Sequence, residues 1–194
     1  MNTWEIKGHI LEYYDDTHTY LVDGIIVPSI TQILKIKFKN KYNRVNEKVL
    51  TRASEKGTQV HEAIEKLCQT GEVEDIKEVK NFIFLQKQYK FTTIDNEVPI
   101  ILFREDTPVG AGRLDLVLEE NQELGLGDIK RTSVLDKEYL AYQLNLYRIG
   151  YQQCYDKNIT FLKGLHLRED VRKYVNIPIN EKLAQKLVDE YIGG

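Results

Sequence analysis

Two acids and an amine stand out by type and spacing. Asp115 interrupts the apolar run L-D-L-V-L, and Asp128 and Lys130 lie two apart in the downstream run G-D-I-K. If each run is a strand, side-chain alternation points Asp115 away from Leu114, Leu116 and Leu118 and sets Asp128 and Lys130 on one face. Pairing the strands as a hairpin then brings all three groups to one spot. Carboxylates that close repel each other, and their pKa values rise unless a cation sits between them. Oxygen ligands of this kind favour Mg²⁺ or Mn²⁺. Such an ion polarises a phosphoryl oxygen and lowers the pKa of its water. A lysine beside it orients that water or neutralises developing charge. This is the chemistry of phosphodiester hydrolysis. A D-x-K on a strand is more often a solvated charge pair, but an Asp flanked by leucines needs a partner.

The elements that must position these groups are legible around them. E-V-P-I-I-L-F, G-R-L-D-L-V-L-E-E and L-G-L-G-D-I-K-R-T read as three strands, with a polar turn over 119–123 between the last two. A helix over 137–155 follows, with Leu140, Leu144, Tyr147 and Tyr151 on one face. I-T-F-L-K-G-L-H-L-R-E and V-R-K-Y-V-N-I-P-I read as two more strands, and Asn180 caps a last helix. Upstream, residues 8–27 read as short strands with turns at D-D-T-H and Asp23-Gly24, and Ser29 caps a short helix. Helices are expected over 57–69, stopped by Thr70-Gly71, and over 75–90. The order of elements implies an α/β fold, a mixed β-sheet flanked by helices. One domain over 1–194 is expected, with an N-terminal hairpin and basic helical extension over 1–56 and the core over 57–194.

Composition narrows the class. Hydrophobic residues are 42% and charged residues 29% of the 194, an ordinary globular balance that argues against disorder. No apolar run is long enough to span a membrane, and the N-terminus lacks a signal pattern, so a cytoplasmic protein is expected. Cys68 and Cys154 are too few for an iron–sulfur cluster and read as reduced thiols. The net charge of −3 conceals an uneven distribution, because 35–56 carries a net +6 and leaves −9 elsewhere. One basic patch on an acidic body suits a protein that holds phosphate in one place and metal in another.

The run G-A-G-R-L-D-L-V-L, then G-D-I-K-R-T, then Q-L-N-L-Y, resembles the RecB-like branch of the PD-(D/E)XK nucleases. K-G-T-Q-V-H, ending at His61, and E-V-P-I, starting at Glu97, resemble two further motifs of that branch in the same order. The likeness covers about 57–151. It implies a restriction-endonuclease-like core and a metal-dependent deoxyribonuclease. Asp115 and Asp128 would be metal ligands with His61, Glu97 and the Ile129 carbonyl, and Lys130 the catalytic lysine. The ion would be Mg²⁺ or Mn²⁺. The N-terminal run H-T-Y-L-V-D-G-I-I-V-P-S resembles phage-encoded exonucleases, which implies DNA ends as substrate and a single-strand annealing or recombinase partner in a bacterial host cytoplasm. Oligomeric state is open. So are a structure-specific endonuclease and a non-catalytic DNA- or partner-binding module.

The remaining candidates carry competing readings. Glu97 follows Asp95 and Asn96, so a solvated strand start competes with a ligand role. Gln143 lies one turn before Tyr147 and shares its face. Packing accounts for Tyr147, although a DNA contact is open to it; Gln143 is expected to contact substrate phosphate or the attacking water. Arg131 should point away from Lys130 and at most touch the DNA backbone. Lys37, Lys39, Lys41 and Arg44, interleaved with Phe38 and Tyr42, fit cations that follow phosphates and rings that stack on bases. The alternative is a solvated helix with two core aromatics. His9, His18 and His166 receive no role, and Glu62 and Glu65 are read as surface charges.

Overall fold

The computed structural model describes residues 1–39 and 47–193, with side chains left aside for 47–50. Alternating burial builds the first sheet from β1 (Asn2–Ile6), β2 (His9–Tyr14), β3 (Thr19–Val22) and β4 (Ile25–Val27), all antiparallel in chain order. β1 begins before the expected strands. α1 (Ile30–Leu34) follows, opened by a capping box in which Ser29 Oγ accepts from Gln32 N and Gln32 Oε1 accepts from Ser29 N. Ala111 N donates to the Pro28 carbonyl at 2.9 Å, which ties this N-terminal unit to the main sheet.

α2 (Glu47–Thr70) begins ten residues before the expected position, and α3 (Lys77–Tyr89) lies within its expected span. The extra turns of α2 were not visible as periodicity because residues 51–56 are exposed on every side. The main sheet has the order β5 (Thr92–Arg104), β6 (Thr107–Glu120), β7 (Glu123–Lys130), β8 (Phe161–Leu167), β9 (Arg172–Ile177). β7 and β8 run parallel and the other neighbours antiparallel, so the sheet is mixed. α4 (Lys137–Tyr155) makes the crossover between the parallel pair, its N-terminus capped by Asp136 at 2.9 Å from Tyr139 N. α5 (Glu181–Gly193) closes the chain.

Two cores lie on the two sides of this sheet. One packs the N-terminal sheet, α1, α4 and α5 through Ile30, Ile33, Leu144 and Leu187, and the other packs α2 and α3 through Val60, Ile64, Val79 and Phe82. The α/β class with a mixed sheet flanked by helices and an N-terminal antiparallel extension is therefore observed. Among the described residues, no helix is long and apolar enough to cross a membrane.

Candidate metal centre

The expected hairpin of β6 and β7 forms, but its regular pairing stops short of the acids. The last pair toward the site is Leu116 with Gly127. Beyond it the strands part, and Asp115 Oδ2 accepts the Ile129 N–H at 2.7 Å in place of a backbone carbonyl. The simple alternation of Asp115 against three leucines does not hold. Leu114 packs into the α4-side core, whereas Leu116 and Leu118 pack into the α2-side core. The change of phase at Asp115 reflects the opening of the ladder.

Glu97 lies on β5 between the Asn96–Leu116 and Val98–Leu114 pairs, and so opposite Asp115. Its φ of 48° is left-handed backbone inside a strand, costing roughly 1 kcal/mol for a residue with a Cβ. His61 reaches in from α2. Its Nδ1 is 3.8 Å from Glu97 Oε1 and 3.7 Å from Asp115 Oδ2, while Nε2 is 3.2 Å from the Ile129 carbonyl. One donor atom each from His61, Glu97 and Asp115 lies within 4.8 Å of the others. The imidazole nitrogen and two carboxylates, with the Ile129 carbonyl adjacent, form a group that could hold a metal ion. Burial opposes charge on His61, but Asp115, followed by the Glu97 hydrogen bond, outweighs it and holds the ring up at about 9. The side chain is partly exposed, with Nδ1 toward the acids and Nε2 toward the carbonyl.

Asp128 lies outside that three-residue group. It is 1% exposed, and its Oδ2 is 2.6 Å from Lys130 Nζ. No other donor among the described residues reaches either oxygen. Burial raises the Asp128 pKa to about 6, against the pull of Lys130 and with a further push from Asp115, so the two acids feel one another. Lys130 is held charged: burial disfavours its ammonium, but Asp128 and then Asp115 raise its pKa above the ordinary lysine value. Gln143 is buried on α4 with its Oε1 unbonded among the described residues.

An open cleft of about 800 Å³ exposes His61, Glu97, Asp115, Ile129 and Lys130 together. One wall is the α2 face that carries Ser54, Gly57 and Thr58. Arg113, which the sequence reading passed over, holds the second oxygen of Glu97, Nε to Oε2 at 2.9 Å. Its position two residues before Asp115 on the same strand was the available signal. Glu65, read as a surface charge, is half-buried and lines the same cleft. Arg131, expected to point away from Lys130, lines the same cleft, with its Nε held by the buried Glu78 at 2.7 Å.

Of the basic segment, Lys41, Tyr42 and Arg44 lie outside the described residues. Lys37 sits 3.2 Å from Glu138 and over the Tyr142 ring, and Lys39 is exposed. Phe38 packs edge-on against Tyr139 and Tyr142, the core-aromatic alternative. Tyr147 is buried at the floor of a second cavity beside the cleft. His9, His18 and His166 have structural partners in Asp23, the Tyr13 hydroxyl and the Thr132 carbonyl.

No protein-family model matches this chain, and no curated protein sequence does either. Among solved structures, the crystal structure of SSO0001 superposes with a TM-score of 0.49 at 13% identity, over 86% of this chain and 75% of that one. A likeness at that level carries no argument about chemistry, so the case for function rests on the side chains themselves.

Proposed function

We propose that the protein is a divalent-cation-dependent nuclease that hydrolyses DNA phosphodiester bonds, working from DNA ends. The observation that carries this reading is the meeting of His61, Glu97 and Asp115 beside the Ile129 carbonyl, with Lys130 in the same cleft. Those residues would hold Mg²⁺ or Mn²⁺. The bound ion would polarise the phosphoryl oxygen and acidify a water.

The chain's own groups account for the remaining needs. Lys130, kept charged by Asp128, is a fixed cation for the negative charge that grows on the phosphate oxygens. Asp128 either shares the ion or serves to hold that ammonium. Gln143, with its unbonded oxygen, is suited to orient the attacking water. Arg113 keeps Glu97 turned toward His61. The resemblance to RecB-like phage exonucleases favours end processing ahead of DNA recombination, with an annealing or recombinase protein as partner.

The test is incubation with linear and closed circular DNA in Mg²⁺ and in Mn²⁺, alongside Asp115→Ala. Shortening of the linear substrate alone, abolished in the variant, is the expected result. Cleavage of circles would make the protein an endonuclease. Intact DNA under every condition, or equal cutting by the variant, would remove the reading.

A further inference from the structure

We infer that the cavity beside the metal cleft, walled by the N-terminal sheet, is a subsite for one unpaired nucleotide of the substrate strand; the ligand class rests on the nuclease reading above. The cavity measures about 480 Å³ and lies between the β2–β3 turn, α1, β6 and α4. That is small-ligand scale, room for a nucleotide and not for a duplex.

Its floor is aromatic. Tyr13 and Tyr20 stand with ring centroids 4.5 Å apart, and Tyr147 closes the base. Gly112 keeps the floor open, because a Cβ there would lie 2.9 Å from Tyr147 Cε1 and 3.0 Å from Ile30 Cγ1. Tyr20 and Tyr147 are 8% and 6% exposed. Their hydroxyls make no hydrogen bond to a described residue, which leaves two polar atoms for a ligand.

The rim is polar, with Thr17, His18, Gln32 and Lys35, and among the described residues no carboxylate lines the cavity. Rings below, a cation at the mouth and no acid form a site for a base and its phosphate. An acidic peptide would leave the aromatic floor unused, and an apolar ligand would strand the phenols. Tyr20 also lines the metal cleft, so the two sites share a wall and a strand passing from one to the other needs no detour. A base can enter only when it is unpaired, so single-stranded or frayed ends are the substrate class.

The test uses fluorescence anisotropy of a labelled eight-nucleotide oligothymidylate in EDTA, where neither metal nor cleavage contributes. A single abasic site is moved along the oligonucleotide. One position should weaken binding about tenfold, since one stacked base contributes about 1–3 kcal/mol and 1.4 kcal/mol is tenfold. Thr17→Trp fills the mouth from an exposed position, and Lys35→Glu reverses its charge. Thr17→Trp should erase the abasic step and Lys35→Glu should weaken intact and abasic oligonucleotides alike, with circular dichroism melts confirming an intact fold. A flat abasic scan, or a step that survives Thr17→Trp, overturns the subsite. A flat scan alongside cleavage of linear DNA in Mn²⁺ removes this inference and leaves the nuclease. A clear step with no cleavage in any metal keeps the nucleotide pocket and removes the nuclease.

Discussion

Replacing Lys130 with methionine isolates the ion pair at the end of β7. Asp128 is 1% exposed, with Lys130 Nζ 2.6 Å away and, among the described residues, no other donor at its oxygens. Methionine fills the space of the lysine stem but leaves a buried carboxylate alone. Breaking one side of such a pair costs about 3–5 kcal/mol while the survivor stays ionised. In a chain of this length each kcal/mol lowers Tm by about 2–4 °C, so a fall of about 10 °C is expected at pH 8. The pH dependence has a definite sign. Burial holds Asp128 at about 6, above its ordinary 3.8, even with Lys130 present. The folded protein thus takes up this proton more readily than the unfolded chain. The stability tied to it is full below about pH 4 and is lost as pH rises through the folded value. Removing Lys130 removes a lowering influence, so that window moves up in the variant. The gap between wild type and Lys130→Met is therefore widest at pH 8 and narrows at pH 5.5. Adding Asp128→Asn restores most of the loss at pH 8, because no buried charge is then unpaired. Thermal melts in EDTA, at both pH values and for both variants, measure all of this. An unchanged Tm for Lys130→Met at pH 8, or the same loss at both pH values, would refute the account of a desolvated pair.

Three further outcomes follow from the same geometry. Manganese binding followed by calorimetry at pH 7.5 in two buffers should release close to one proton per ion, because His61, held at about 9, must give up its proton to ligate; zero release would mean that the ring does not bind the ion. Arg113→Met frees Glu97 Oε2 from its 2.9 Å partner and should weaken Mn²⁺ binding about tenfold, in the range of outer ligand-orienting contacts. Arg113→Lys should recover part of that loss, and equal affinity in all three proteins would strip Arg113 of its positioning role. Glu78→Gln leaves Arg131 without its buried partner and should lower Tm by about 10 °C without changing Mn²⁺ affinity; a matching loss of affinity would tie that pair to the metal centre.

The legible parts of the fold were those with strong local periodicity. α4 occupies its expected bounds because its apolar stripe is strong, and the β6–β7 hairpin was legible as two apolar runs joined by a polar turn. The α2 turn over 51–56 was hidden because it is helical without burying a face, so no stripe announces it. β1 went unread because in N-T-W-E-I only Ile6 is fully buried. Phe38 and Tyr42 looked alike in sequence, and only packing shows that Phe38 belongs with the rings of α4.

The candidate site was readable in residue type and unreadable in arrangement, for one physical reason. Alternation describes a strand whose backbone groups are all used by its neighbours. At Asp115 they are not: the ladder to β7 has ended and a carboxylate takes up the Ile129 N–H. Directly across, Glu97 of β5 takes left-handed backbone, three residues past a bulge at Ile94. These departures free the Ile129 carbonyl for His61 and turn two carboxylates toward one imidazole. A regular sheet would have exchanged those backbone bonds between strands and left no carbonyl to face α2. The irregularities are thus what makes the donor set, and Arg113 holds the less favourable of them, the strained Glu97, in place. Local strain held by specific partners at a cluster of ionisable groups motivates a candidate site, and it cannot be read from a pattern whose premise is regularity.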